Sequence, residues 1–242
     1  MFERARARCQ ALRKRHYGDS DRPGLPYEEG IARIASAAGF FLEIGCGREG
    51  RFLRRIAPRF RYAVGIDMET AEQASDPANC RIMQADAHHL PFTDGVFDVV
   101  STKDVMEHIA DPHRMFVECA RILRPGGKVF VLTVNKWFIP IAFGRTLPHR
   151  LRQFVNRLAT GTCDEDTFRC YYRANTADSL VRAASEAGLR TVRVERISKH
   201  PEYLMFSPWA YRAGVTVEKQ IRKRQRSEER RVGKECRFRW SP

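Results

Sequence analysis

The sequence predicts an α/β fold in which a parallel sheet is covered by helices, and three observations carry that prediction. Between Tyr27 and Val134 the apolar residues switch repeatedly between a helical and a strand-like period. The strand-like runs are short and nearly continuous in apolar residues, the pattern of strands buried on both faces. Most end in a glycine or a polar residue, so one edge of the sheet collects the loops and the chemistry.

Ile31, Ile34, Ala35 and Ala38 share one face of a helix, and Phe40-Phe41-Leu42-Glu43-Ile44 then reads as a buried first strand that stops at Gly45. A glycine-rich turn leads into a second helix at Arg51 to Ile56, limited by Pro58. Tyr62 to Asp67 is the second strand, with an acid at its carboxyl end 22 residues after Gly45. Third and fourth strands are expected at Arg81 to Ala85 and Phe97 to Thr102, separated by the turn Leu90-Pro91-Phe92-Thr93-Asp94-Gly95. Asp111-Pro112 opens a helix whose Met115, Phe116, Cys119, Ile122 and Leu123 line one face, and Pro125-Gly126-Gly127 stops it. The fifth strand, Lys128 to Val134, is apolar on both faces and is expected near the centre of the sheet.

Regular alternation then lapses for about forty residues, longer than an ordinary loop, and a helical lid is expected at 136–175. It contains the apolar run Trp137 to Phe143, an amphipathic Leu147 to Leu158, and Phe168, Tyr171 and Tyr172. The two tyrosines read as lining of an acceptor pocket or, with greater weight, as core. Thr176 caps a further helix through Ala187 that Gly188 ends, and a strand is expected at Arg190 to Ile197.

With 242 residues and 43% apolar content, the chain suffices for one large domain with a small appendage. No apolar run approaches the ~18 residues of a membrane span. The N-terminus is basic but lacks the apolar core of a secretory signal, which predicts a cytoplasmic protein. Cysteines 9, 46, 80, 119, 163, 170 and 236 include no C-x-x-C pair, which suits a reducing compartment and argues against a disulfide framework or a zinc ribbon. Residues 226–242, RSEERRVGKECRFRWSP, resemble the translation of a common sequencing-library adapter and depart from it only at Phe238. They are set aside as foreign to the fold. Six basic and three acidic residues lie in that stretch, so the remainder carries +11 where the whole chain carries +14. The organisation expected is a basic helix or arm at 1–26, a main domain at 27–225 that includes the lid, and a foreign tail at 226–242.

Gly45, Gly47 and Gly50 fit G-x-G-x-x-G, in which side-chain-free positions let backbone N–H groups approach a ligand at a helix N-terminus. Glu43, Asp67 and Asp86 follow the first three strands and converge on the same sheet edge. An acid after the second strand suits the two hydroxyls of a ribose, and one after the third can accept from an exocyclic amine. Together they describe an adenosine. Glu43 beside the glycine turn repels a pyrophosphate and welcomes a cationic amine or sulfonium, which favours S-adenosylmethionine over a nicotinamide dinucleotide.

In FLEIGCGREG, VGIDM, QADAHHLPF, FDVVSTKDVMEHIADP and RILRPGGKVFVLTVN, taken in that order, the chain resembles the class I S-adenosylmethionine-dependent methyltransferases, particularly the group acting on small and lipid-like molecules. The resemblance spans Tyr27 to Asn135 closely and Thr176 to Ile197 loosely. It implies a Rossmann-like, doubly wound, mostly parallel seven-stranded sheet with helices on both faces. It also implies that Gly45, Cys46 and Gly47 face the amino-acid part of the cofactor and Asp67 the ribose. Met68 would cover the adenine, Asp86 and the Ala87 backbone would meet its polar edge, and Lys103 would line the methyl-donor pocket. Arg48-Glu49 places Gly50 one residue later than the commonest G-x-G-x-G form.

A sulfonium is already an activated leaving group, so the reaction chiefly requires an in-line acceptor, with a base only where the acceptor loses a proton. His108, after the fourth strand, is the candidate base, with helix capping or packing the alternative. His88 and His89 read as a solvated turn, and no metal site is expected. The fourth-strand motif, Ser101-Thr102-Lys103-Asp104, lacks the Pro-Pro-Tyr-like element and the Pro-Cys nucleophile of base methylation, so nucleic acid is disfavoured as substrate. A hydrophobic or amphipathic small molecule is expected instead, with peripheral contact at the inner membrane face through the Arg-rich termini. The competing readings are an NAD(P)-dependent reductase and a non-catalytic RNA-binding module.

Overall fold

The computed structural model describes residues 2–18, 24–69, 77–136, 169–195, 204–205 and 207–232. They divide into two units. One comprises residues 26–136 and 169–193, and the other joins the residues up to Leu25 with those from Val194 onward.

The first unit is built on five parallel strands, β1 (Phe40–Ile44), β2 (Tyr62–Asp67), β3 (Cys80–Gln84), β4 (Phe97–Lys103) and β5 (Leu123–Leu132), in the order β3-β2-β1-β4-β5. Strand order reverses between β1 and β4, so the first crossovers run outward on either side of β1 and open a crevice at its carboxyl end. Both faces of β1 are buried. Leu42 and Ile44 join a core with Val100, Met106 and Ile122, whereas Phe41 packs with Tyr27, Ile31 and Phe52 on the other side. Burying each such side chain is worth roughly 1.5–3 kcal/mol, which explains why the short apolar runs behave as strands.

Helix α2 (Leu25–Ile34) buries Tyr27 and Ile31, and α3 (Arg51–Ile56) buries Phe52, Leu53 and Ile56 before a 3-10 turn at Ala57–Arg59. Asp111 caps α4 (Pro112–Ile122), its Oδ1 accepting from the Arg114 N–H at 3.0 Å, with Pro112 supplying the pre-set first turn. Within α4, Glu118 accepts from the Leu90 N–H and from Arg121, both at 2.8 Å, and thereby pins the 90–95 turn to the helix. Thr176 and Ser179 form a reciprocal capping pair on α5 (Ala177–Glu186).

Three expectations meet differences. Strand β5 begins five residues early, with Leu123 opposite Phe97, and its ladder resumes at Lys128 opposite Val99 after the Pro-Gly-Gly turn. Among the described residues it pairs with β4 alone, so it lies at the edge of the five strands rather than near the centre. Of the strand expected at Arg190 to Ile197, residues 190–195 join no strand among the described residues, and 196–197 lie outside them. Five strands are present among the described residues. Of the expected lid, 137–168 lie outside the described residues.

In the second unit α1 (Phe2–Tyr17) packs on α6 (Pro208–Val232) around Cys9, Tyr211 and Val215, and the Tyr17 hydroxyl donates to Glu218 Oε2 at 2.9 Å. Trp209 is 79% exposed on α6, with Arg212 stacked on its ring. Among the described residues no helix is long and apolar enough to cross a membrane.

Candidate cofactor and acceptor site

The turn after β1 does not present its amides as the glycine spacing suggests. The N–H groups of Gly45 and Cys46 both donate to the Ile66 carbonyl, at 2.8 and 3.1 Å, and the Gly47 N–H donates to Asp67 Oδ2 at 2.8 Å. Gly50 N–H closes back on the Gly47 carbonyl at 3.2 Å. These four N–H groups are all bonded within the protein. Gly45 has φ +72°, and a Cβ there would collide with Val105. Gly50, at φ +52°, is the left-handed residue before α3, packed within 2.5 Å of Ile82 for an added Cβ, and so has a structural role. Beside Gly47 nothing lies within 4 Å of where a Cβ would be.

Glu43, Asp67 and Asp86 occupy one edge but three different environments. Glu43 is 3% exposed on β1, opposite Gly65 of β2 and Ser101 of β4, and its Oε2 has no hydrogen-bond partner. Burial pushes its carboxyl up to about 8, against the pull of Lys103, a Leu53 backbone hydrogen bond and Arg55. Burial likewise pushes the Cys46 thiol up, with Glu43 and Asp67 adding to the rise, so this cysteine stays protonated. Asp67 divides its oxygens between the Gly47 N–H and the Glu69 N–H, the latter at 3.1 Å from Oδ1. Each oxygen retains a second lone pair for a hydroxyl donor. Met68, next in sequence, is 56% exposed, and its carbonyl accepts from Gln84 at 2.8 Å.

Asp86 is gripped by the two histidines that follow it. His88 donates from its backbone N–H at 2.9 Å and faces Oδ1 through Nδ1 at 2.6 Å, while His89 Nδ1 lies 3.6 Å from Oδ2. Burial opposes ionisation of Asp86, yet these contacts win and hold the carboxyl below its usual range. His88 Nε2 accepts from the Asp111 N–H at 3.2 Å, and the His88 carbonyl accepts from Arg114 Nε at 3.2 Å. With its side chain 21% exposed, His88 is a tie between the β3 turn and the cap of α4, not the solvated turn expected. Ala87, between these groups, is buried.

Lys103, at the end of β4, lies 3.7 Å from Glu28 and 6.0 Å above the Phe52 ring centre, on the Glu43 side of the sheet. His108 closes the 3-10 turn Met106–His108, and its Nδ1 is 3.3 Å from the Arg169 carbonyl and 3.6 Å from Cys170 Sγ. Neighbouring Glu107 is a site-building residue that the motif reading missed. Its carbonyl accepts from Tyr171 and Tyr172 at 2.7 and 3.2 Å, and its buried Oε2 accepts from Thr133, which in turn accepts from Asn175 at 2.7 Å. The segment Arg169–Asn175 is thereby hung from the ends of β4 and β5. Tyr171 is half-buried, with the Arg169 and Arg173 guanidiniums both over its ring, and is not packed in a core. Among the described residues, no group of three or more His, Cys, Asp or Glu is disposed to hold a metal ion.

Residues 42–131 match the family described as a methyltransferase domain. A "Ubiquinone biosynthesis O-methyltransferase" of Aromatoleum aromaticum is 29% identical over 188 residues, covering 73% of this chain and 75% of that one. A protein of the same description from Caulobacter vibrioides is 34% identical over 132 residues, 48% of this chain and 49% of its own. Among solved structures, an S-adenosylmethionine-dependent methyltransferase from Mesorhizobium loti superposes with a TM-score of 0.56 at 18% identity, over 79% of this chain and 92% of that one, which speaks to the fold. With the five motifs in order, these likenesses support a class I S-adenosylmethionine-dependent methyltransferase, an enzyme whose methyltransferase domain lies at residues 42–131.

Proposed function

We propose that this enzyme transfers the methyl group of S-adenosylmethionine to an oxygen of a small amphipathic acceptor. One observation carries the reading of the cofactor: Glu43, Asp67 and Asp86 line an edge where the amides of Gly45, Cys46 and Gly47 are already bonded to β2. A pyrophosphate meets no free amide of those three there and faces three carboxyl groups, whereas a nucleoside with a cationic end suits them. The orphaned Oε2 of buried Glu43 fits an ammonium, and the space beside Gly47 fits the chain that carries it. Gly45, Cys46 and Gly47 bound that chain, Asp67 accepts from the ribose hydroxyls, and exposed Met68 covers one adenine face. Asp86 and the Ala87 backbone take the adenine's polar edge, and Lys103 lines the pocket from β4.

When bound, the cofactor supplies a methyl carbon on a positively charged sulfur. The acceptor oxygen forms its bond to that carbon as the carbon–sulfur pair leaves with sulfur, and the oxygen's proton goes to His108. Nδ1 of His108 lies 3.3 Å from the Arg169 carbonyl, which suits the Nδ1-protonated form that a base requires. Oxygen as the acceptor atom is supported by likeness to proteins named as O-methyltransferases. The cytoplasm is the proposed location. Contact with an anionic membrane face is supported by α1 and α6, which expose Arg6, Arg8, Lys14, Arg15, Arg212 and Lys219, with Arg212 over the ring of exposed Trp209.

Calorimetry with S-adenosylhomocysteine and with NADH tests the core of this reading. Micromolar binding of S-adenosylhomocysteine, weakened at least about tenfold by Asp67→Asn, is expected; binding of NADH alone overturns it. Release of S-adenosylhomocysteine over phenolic, lipid and sugar acceptors then finds the substrate, and salt-sensitive sedimentation with anionic vesicles tests the membrane contact.

A further inference from the structure

The acceptor side of the edge carries positive charge that the transfer chemistry does not explain. The Arg169 and Arg173 guanidinium carbons lie 5.1 and 5.7 Å from the centre of the Tyr171 ring. Neither guanidinium lies within salt-bridge distance of a carboxylate among the described residues. Elsewhere in the same unit the arginines at 48, 51, 55, 121 and 124 are each paired with an acid. Two uncompensated cations held on one ring repel each other, and an anion between their donors removes that cost.

The platform is also fixed in place. The Tyr171 N–H is bonded to the carbonyl of Glu107, whose side chain is buried and tied through Thr133 to Asn175. Arg173 Nη1 donates to the Ala110 carbonyl at 2.7 Å, which anchors that side chain and leaves its other N–H groups for a ligand. Stacking uses the face of a guanidinium, and its in-plane N–H groups remain to meet a carboxylate or phosphate. The Arg169 carbonyl lies 3.3 Å from Nδ1 of His108. The anion-ready pair and the base thus belong to one short piece of structure.

We propose that Arg169 and Arg173, held about Tyr171 beside His108, bind a carboxylate or phosphate group of the methyl acceptor. This rests on the methyltransferase reading of the same edge and adds to it that the polar end of the amphipathic acceptor is an anion. The pair selects among acceptors, and the apolar remainder of the molecule lies away from it.

Benzoate, phenyl phosphate and phenol serve as probes of one ring with three end groups. Their dissociation constants are measured by ligand-observed NMR on the full chain saturated with S-adenosylhomocysteine, at constant ionic strength. The anions are expected to bind about tenfold more tightly than phenol, and Arg169→Gln and Arg173→Lys to lose most of that preference. Arg33→Gln, which removes an exposed guanidinium paired with Glu29, is expected to keep it. A benzoate preference identifies a carboxylate acceptor, a phenyl phosphate preference a phosphate, and equal affinity recognition of charge alone. Phenol binding as tightly as the anions, or an anion preference that survives both substitutions, overturns the proposal. S-adenosylhomocysteine affinity, measured in every variant, reports separately on the fold and on the underlying reading, which fails if wild-type protein does not bind it.

Discussion

Nδ1 of His88 lies 2.6 Å from Oδ1 of Asp86, and Nε2 of the same ring accepts from the backbone of Asp111. One imidazole thus spans from the turn after β3 to the cap of α4, and it fixes the direction in which the Asp86 carboxylate is offered. His88→Ala removes that brace without touching the carboxylate. Loss of one such hydrogen bond, about 1 kcal/mol, is expected to weaken S-adenosylhomocysteine about fivefold with kcat nearly unchanged. Asp86→Asn is expected to weaken it further. Calorimetry of the two variants beside a KM and kcat comparison checks this, and equal affinity in wild type and His88→Ala contradicts it.

Glu43 makes a pH prediction. Its folded carboxyl titrates at about 8, above the usual carboxylate range, so between about pH 4.5 and 8 the unfolded chain has released a proton that the folded chain keeps. Stability of the free protein therefore falls as pH rises through that window, by at most ~1.4 kcal/mol per unit from this group. Glu43→Gln abolishes the slope, so the variant gains on wild type in urea unfolding between pH 5 and pH 8. The same substitution weakens the cofactor. In wild type, binding a cation beside Glu43 ionises it, so the calorimetric heat is expected to depend on the ionisation enthalpy of the buffer.

Gly45→Ala brings two separable penalties, a collision with Val105 and a side chain at φ +72°. The expected loss is roughly 2–4 kcal/mol, from overpacking together with left-handed strain. Val105→Ala in the same chain is expected to recover the first part and leave about 1 kcal/mol of the second. Denaturant midpoints of the two single variants and the double variant measure the coupling, and full recovery in the double variant rules out the backbone contribution.

Local signals made much of this architecture legible. The boundaries of β1 and β2 coincide with the apolar runs, and Asp111-Pro112 announced α4 because a cap and its first turn are written in adjacent residues. The place of β5 among the described strands was not legible, since a strand apolar on both faces reads alike at the centre and at the edge. His88 was misread because its second partner, the Asp111 backbone, lies 23 residues away. The glycine spacing fits either direction of the loop amides, and only the Ile66 carbonyl decides between them. Nothing periodic marks Arg169 and Arg173, whose meeting at Tyr171 depends on a buried Glu107 in another segment.

The bonds from Gly45 and Cys46 to Ile66, and from Gly47 to Asp67, tie the turn after β1 to the end of β2. The turn does not wait for its ligand in order to become ordered. The Gly45 and Cys46 amides, bonded to the Ile66 carbonyl, are expected to exchange with deuterium as slowly as the end of β2, and occupancy is expected to add little to that protection. The conformational entropy of this recognition element is spent when the sheet forms, leaving the ligand's binding free energy undiminished by it.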